Sequence, residues 1–302
     1  MSENIKKEPS GVLIVNKPTG MTSHDVVGAV RKIYGTKRVG HTGTLDPMAT
    51  GVLVVLVGRA AKAAEYLSSA SKKYRAVMRL GLTTDTEDIT GTVLSEGSSL
   101  PDESEVVSAV SSFVGKYMQT PPMYSALKVG GKKLCDLARE GKTVDREARE
   151  VEIYSIGVER VSDSDYLLDV HCSKGTYIRT LCADIGRALG CGGIMKTLRR
   201  KCASGFSLSD SHTLSELENM SKEEREAAIF PVEYIFKDKK EISLSPFFAR
   251  LARAGQEIYL KKIGESLPLG ECVRLSDADG FFAVGEVREF EEGNAIKPIR
   301  QF

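Results

Sequence analysis

Apolar positions along the chain fall into short strand-length runs and longer helix-spaced ones. Gly11–Asn16 is a compact apolar run stopped by Lys17-Pro18 and Gly20, the pattern of a short strand. Val26, Val27, Val30, Ile33 and Tyr34 then recur at helical spacing. Thr22-Ser23-His24-Asp25 supplies a hydroxyl N-cap and a first-turn acid, and Gly35 follows the end. Arg38–Ala49 has Gly and Pro but little periodicity and is expected to be a loop. Gly51–Val57 is a continuous β-branched run suited to a buried strand. A short helical stretch over about residues 60–69 and an alternating strand, Lys73–Leu80, come next.

A second strand is expected at Gly91–Leu94, and Asp102–Val114 has helical periodicity through Val106, Val107, Val110 and Val114. Gln119–Arg149 is turn-rich and basic, and reads as an inserted, partly mobile excursion. Tyr166–Cys172 alternates as a strand. Thr176 is the expected cap of a helix that buries Ile178, Leu181, Cys182, Ile185 and Leu189 and ends at Gly190. After Pro231 the pattern changes. Glu271–Leu275, Phe281–Val287 and Ala295–Arg300 are short strands, which predicts a small β-rich domain from about residue 240.

The chain has 302 residues, 42 Lys plus Arg and 41 Asp plus Glu, so its net charge of +1 conceals any local segregation. Residues 84–105 hold seven acids and no Lys or Arg. Residues 174–201 hold seven bases against Asp184 alone, and residues 128–149 seven bases against four acids. These blocks are either solvated surfaces or a phosphate-binding face. No run approaches the roughly 20 apolar residues of a membrane span. Met1–Ser10 is polar, lacks the apolar core of a secretory signal, and is expected to be flexible. Cys135, Cys172, Cys182, Cys191, Cys202 and Cys272 form no C-x-x-C pair, as expected of free thiols in a reducing cytoplasm.

Most motif-like stretches fail on spacing. Ser23-His24-Asp25 has the residue types of a hydrolase triad, but three neighbours at a helix start cannot face one another in the required order. Gly141-Lys142-Thr143 resembles the end of a P-loop, yet Asp136 stands where its first glycine belongs. His24, His41, His171 and His212 lack metal-ligand spacing, and no dinucleotide fingerprint occurs, so neither a metal nor a nucleotide cofactor is expected. The stretch Gly40-His41-Thr42-Gly43-Thr44-Leu45-Asp46-Pro47-Met48-Ala49-Thr50-Gly51 is different. It is a hydroxyl- and glycine-rich loop with one central acid, feeding a buried strand. On pattern alone Asp46 reads as the cap of the Pro47 turn.

That stretch resembles the catalytic motif of the TruB family of tRNA pseudouridine synthases. Asn16-Lys17-Pro18-x-Gly20-x-Thr22-Ser23 resembles the family's first motif, and Lys73-Tyr74-Arg75 with Gly81-x-x-Thr84-Asp85-Thr86-x-Asp88 its second. Pro121-Pro122-x-Tyr124-Ser125-Ala126-Leu127-Lys128 resembles its thumb insertion. Cys172–Arg179 and Leu198-Arg199-Arg200 resemble its later active-site motifs. Order and spacing agree over about residues 10–235. Cys135 departs from the thumb pattern, which often carries Tyr there.

The resemblance implies an α+β fold, a mixed and largely antiparallel sheet flanked by helices. It implies a catalytic domain at 11–238 with a thumb at about 120–150, and a PUA-like RNA-binding domain at 239–302. The implied reaction isomerises uridine 55 in the T loop of tRNA, without a cofactor. Asp46 is the implied catalytic carboxylate and Arg179 its ion-pair partner, although Arg179 alone reads as a phosphate contact or a surface residue. Tyr74 is implied to stack on the uracil, with Leu198 and Tyr177 as pocket walls; alone, Tyr74 is an ordinary strand aromatic and Leu198 is core. His41 is implied to enter the RNA loop. The RNA-facing cations expected are Lys17, Lys128, Lys132, Lys133, Arg199 and Arg200. The expected partner is the tRNA T stem-loop, and the protein is expected to be a monomer. A tRNA-folding factor acting without catalysis, or a synthase for another RNA, are the alternative readings.

Overall fold

A computed structural model describes residues 9–68, 70–97 and 99–302. The expected flexible start thus lies outside the described residues except for Pro9 and Ser10, as does position 69 at the end of the predicted helical stretch. Among the described residues nine strands form one sheet. They are β1 Gly11–Lys17, β2 Val39–Thr42, β3 Thr50–Val57, β4 Lys72–Leu80, β5 Gly115–Gln119, β6 Arg149–Arg160, β7 Asp165–Cys172, β8 Gly193–Ala203 and β9 Phe206–Ser207. Their order is β1-β3-β8-β4-β7-β6-β5, with β2 added to β3 and β9 to β8. Every pairing is antiparallel except β3 with β8, which meet only at Thr50–Arg199 and Gly51–Arg200.

The two halves on either side of that junction are built differently. β3 is apolar throughout because both of its faces are covered. Val52, Val54 and Leu56 pack with Val12, Ile14, Phe206 and Phe236. Leu53, Val55 and Val57 pack with Val26, Val27 and Val30 of helix α1, Ser23–Tyr34. The predicted cap of α1 is present: Asp25 N donates to Thr22 Oγ1 at 3.1 Å, and Thr22 N donates to Asp25 Oδ2 at 2.8 Å. Gly35 closes the helix in the left-handed region at φ 63°. β4 instead alternates. Tyr74, Ala76, Met78 and Leu80 face the core with Val106 and Val110 of α2, Glu103–Ser111, and with Leu181 and Ile185 of α3, Ile178–Ala188. Lys73 and Arg75 face solvent.

Several expectations give way. The expected loop at 38–49 contains β2. β5, β6 and β8 were not legible, because bulges at Ile153/Ser155, Met195/Thr197 and Arg200/Cys202 break the alternation of β6 and β8. Thr176 does not cap α3. Its hydroxyl donates to Ser173 O at 3.1 Å, and Tyr177 occupies the cap position. In the thumb, Lys128–Val129 and Lys132–Lys133 pair as a hairpin. Gly130 and Gly131 are its two-residue turn, with φ of 57° and 84°, a conformation open to glycine and closed to most side chains. A short helix, Leu134–Arg139, follows and buries Leu134 and Leu137.

A second, five-stranded sheet begins at Glu241. Its strands are β10 Glu241–Ser243, β11 Ile258–Tyr259, β12 Cys272–Asp277, β13 Gly280–Phe290 and β14 Gly293–Gln301, in the order β10-β12-β13-β14-β11. It has its own core around Ile242, Val273, Leu275, Val287 and Ile296. It joins the first sheet through the rings of Phe236, Phe281 and Phe302.

Candidate active site

The loop at 43–49 joins β2 to β3 and is pinned along its length. Ser23 Oγ donates to Leu45 O at 3.1 Å and accepts from Leu45 N at 2.8 Å. Arg200 donates to Gly43 O at 3.0 Å, Thr44 O at 3.5 Å and Val52 O at 2.7 Å. Lys17 Nζ donates to Pro47 O at 3.2 Å, and to Pro18 O and Met21 O at 2.7 and 2.6 Å. A Cβ on Gly51, whose φ is +102°, would lie 2.3 Å from Arg200 O, so the parallel contact between β3 and β8 depends on glycine there. Leu45 and Ala49 are buried on either side, and Asp46 is left facing a cavity.

Arg179 stands across from it at the start of α3. Its Nη2 donates to Asp46 Oδ1 at 3.0 Å and to Tyr124 O, in the base of the thumb, at 2.8 Å. Its Nη1 lies 3.8 Å from Asp88 Oδ2. Asp88 is held by Thr86 Oγ1 at 2.8 Å and by Thr90 N and Oγ1 at 2.9 and 2.5 Å. One guanidinium thus serves two carboxylates. Burial pushes the Asp46 carboxyl above the ordinary carboxylate range; Arg179 pulls it back, Asp88 raises it further, and Lys17 lowers it. Burial also holds the Tyr74 hydroxyl neutral to higher pH than usual.

Asp46, Tyr74, Tyr177, Arg179 and Leu198 line one cavity of about 660 Å³, roofed by Tyr124, Cys135 and Arg139 of the thumb. That size falls within the range of pockets that enclose a small ligand. The other expected residues lie elsewhere. His41 is on β2, half-buried and outside the lining, and burial lowers its pKa. Lys128, Lys132 and Lys133 are exposed on the thumb hairpin. Arg199 is exposed, turned away from its cavity-lining neighbours Leu198 and Arg200.

Two of the expected RNA contacts are corrected. Lys17 is 0% exposed and Arg200 is 1% exposed; Lys17 spends its donors on the carbonyls of Pro18, Met21 and Pro47, and Arg200 on those of Gly43, Thr44 and, in β3, Val52. They are scaffold for the Asp46 loop. Burial lowers the Lys17 pKa to about 8. Lys17→Met strands three carbonyls, and we expect it to lower stability by about 2–4 kcal/mol, measured by urea unfolding. The salt dependence of RNA binding is expected to stay at its wild-type slope, and a slope lowered by one contact would return Lys17 to the RNA interface.

Gln119 and Asp88 had no assigned role in the sequence reading. Gln119 Oε1 accepts from Tyr177 N at 2.8 Å and its Nε2 donates to Tyr177 O at 3.1 Å, so it sets the start of α3 and hence Arg179. A single Gln at the head of a turn-rich stretch carries no signal for this. Asp88 was visible as an acid among threonines, but its distance to Arg179 was not.

Known proteins are similar to this chain over most of its length. The TruB family pseudouridylate synthase N-terminal domain matches residues 31–178, and the tRNA pseudouridylate synthase B C-terminal domain matches residues 179–237. The protein is 43% identical over 294 residues to the tRNA pseudouridine synthase B of Alkaliphilus oremlandii (strain OhILAs), covering 96% of this chain and 98% of that one. The chain belongs to the TruB family. The tRNA pseudouridine synthase B of Clostridium tetani (strain Massachusetts / E88) is 41% identical, with 92% and 95% covered. Among solved structures, a chain in the crystal structure of a Cbf5-Nop10-Gar1 complex matches with a TM-score of 0.73 at 26% identity, covering 96% of this chain and 84% of that one. The break between the two TruB segments, at residue 178/179, falls at the first turn of α3. It is not a structural boundary, since the second segment supplies β8 at the centre of the sheet. Among the described residues no helix is long and apolar enough to cross a membrane.

Proposed function

We propose that this TruB-family protein is a tRNA pseudouridine synthase that isomerises uridine 55 of the T loop. The supporting observation is the Asp46 carboxylate, held at the wall of a nucleoside-sized cavity by an Arg179 that it shares with Asp88, and lying in one lining with Tyr74 and Leu198. The reaction breaks the bond from N1 of uracil to C1′ and makes one from C5 to C1′; the C5 proton leaves and N1 gains one. An ionised carboxylate beside the sugar serves as nucleophile or base, and Arg179 keeps it ionised against the cost of burial. Tyr74 offers a stacking face to an extruded base, and a loop nucleotide is cheaper to extrude than one inside a helix. The second sheet fits a PUA-like RNA-binding role. The test is incubation with an unmodified tRNA transcript followed by mapping of pseudouridine. Product at position 55 alone supports the reading; none, or product elsewhere, refutes it.

The thumb is read as a clamp on the RNA. Lys128, Lys132 and Lys133 project from its hairpin, and its base carries Tyr124, whose carbonyl binds Arg179. Replacing all three lysines with alanine is expected to weaken tRNA binding and to lower its salt slope by about 0.7–0.9 per lost phosphate contact. Turnover at saturating tRNA should change little. A filter-binding salt titration checks both; an unchanged slope removes the hairpin from the interface.

A further inference from the structure

A group of exposed cations away from the cavity lies on the outer face of the first sheet. β4, β7 and β8 turn alternate side chains away from α2 and α3, and Lys73, Arg75, Arg199 and Lys201 are all left exposed there. Two carboxylates face them, Asp169 on β7 and the exposed Glu159 on β6, whose charge acts on Arg75. Asp169 accepts from Arg75 Nε and Nη2 at 3.1 and 2.6 Å, and Lys201 Nζ lies 3.4 Å from it. A chain with 42 bases and 41 acids has no overall surplus to explain four cations against two acids on this face. Arg75 also sits directly opposite Arg199 in the β4–β8 register. Like charges in that relation destabilise a sheet, so the arrangement is a cost to folding.

Aromatic surface adjoins the cations. Tyr154 of β6 is 45% exposed and its ring centroid lies 4.8 Å from that of His171, which is paired with Lys73 in the register. An exposed tyrosine ring, backed by the half-buried His171 and beside cations on an open sheet, suits an unstacked base with its phosphates. Position adds to this. Lys72 and Tyr74, at the start of β4, line the cavity, while Lys73 between them faces outward. The end of the sheet that carries the cavity on one face carries the ring pair on the other.

We propose that this outer face is a second RNA-contact surface, which holds phosphates of the substrate beyond the segment entering the cavity and stacks an unpaired base on Tyr154. The inference rests on the tRNA reading above. Asp169 does not oppose it, because exposed ion pairs are weak and exchange readily for phosphate while keeping two cations side by side.

The experiment compares a full-length unmodified tRNA transcript with the isolated T-arm stem-loop, in binding across a salt series and in turnover. The proteins are wild type, Arg75→Ala/Lys201→Ala and Tyr154→Ala. The double variant is expected to raise the full-length Kd about tenfold and lower its salt slope by about 1.5, leaving stem-loop binding and turnover unchanged. Tyr154→Ala should raise the full-length Kd about five- to tenfold at unchanged slope, since stacking releases no counterions. Arg75→Lys/Lys201→Arg should restore binding. The inference is overturned if neither variant alters full-length binding, as a face reserved for an acidic protein would behave, or if both RNAs weaken equally. If the double variant does not fold, Tyr154→Ala decides. Wild type that binds both RNAs and isomerises neither would refute the proposed activity while leaving the binding comparison intact.

Discussion

Asp46→Asn is expected to abolish pseudouridine formation, with turnover reduced by a factor on the order of 10⁴ or more. The amide keeps the size of the carboxylate and the acceptor facing Arg179 Nη2, now 3.0 Å away. It loses nucleophilicity and basicity together. Binding of unmodified tRNA should stay within a few-fold of wild type, because the proposed phosphate contacts, Lys128, Lys132 and Lys133, lie on the thumb hairpin. Single-turnover assays at saturating tRNA, with the thermal midpoint as a check on folding, separate the two effects. Measurable pseudouridine from the purified variant, beyond what contaminating wild-type enzyme supplies, would remove Asp46 from the chemistry.

The second large effect belongs to Arg179, and it has a pH signature. Burial raises the Asp46 carboxyl, and Arg179 is the strongest influence in the other direction. In the proposed mechanism Asp46 works ionised, so activity should fall as pH falls through a pKa above the ordinary carboxylate range. Arg179→Ala leaves Asp46 and Asp88 near each other without their shared cation. Two carboxylates in one site hold protons more tightly. The acid limb of the pH–rate profile is therefore expected to move to higher pH, and turnover at neutral pH to fall by about 10²–10³-fold. Arg179→Lys should recover part of the shift but not the full rate, since an ammonium cannot span Asp46, Asp88 and Tyr124 O as a planar fork does. A lone phosphate contact would behave differently, weakening binding and its salt slope with the limb unmoved. That result would sink the ion-pair role.

The contrast between Lys17 and Asp46 shows what the chain made legible. Both sit in motifs that match the TruB pattern, and that resemblance implies a chemical role for Asp46 and a place against RNA for Lys17. Asp46 does face the cavity, with Arg179 against it as the resemblance implied. Lys17 is 0% exposed. A lysine at the end of a strand before Pro18 looks the same in sequence whether its ammonium meets a phosphate or three carbonyls. The difference lies in the path of residues 18–21 and of Pro47, which come together only in the folded chain.

Local physics explains what could be read in advance. Helix α1 was visible because Thr22, Asp25 and Gly35 act on backbone groups within a few residues of themselves. β3 was visible because burial on both faces demands an unbroken apolar run, and β4 because burial on one face demands alternation. β6 and β8 were hidden, since a bulge shifts the alternation midway and charged residues on an open face mimic a solvated loop. The site divides along the same line. The resemblance to the TruB family singled out Asp46, Tyr74, Tyr177, Arg179 and Leu198, which taken one by one read as a turn cap or ordinary core and surface residues, and the fold brings all five to one cavity. Only the tertiary structure decided that Asp88 shares Arg179, that Gln119 sets the start of α3, and that Lys17 and Arg200 face inward. Apart from the bonds of Lys17 to Pro18 O and Met21 O, those are relations between residues tens of positions apart, governed by distance, burial and competing hydrogen bonds, and no local pattern encodes them.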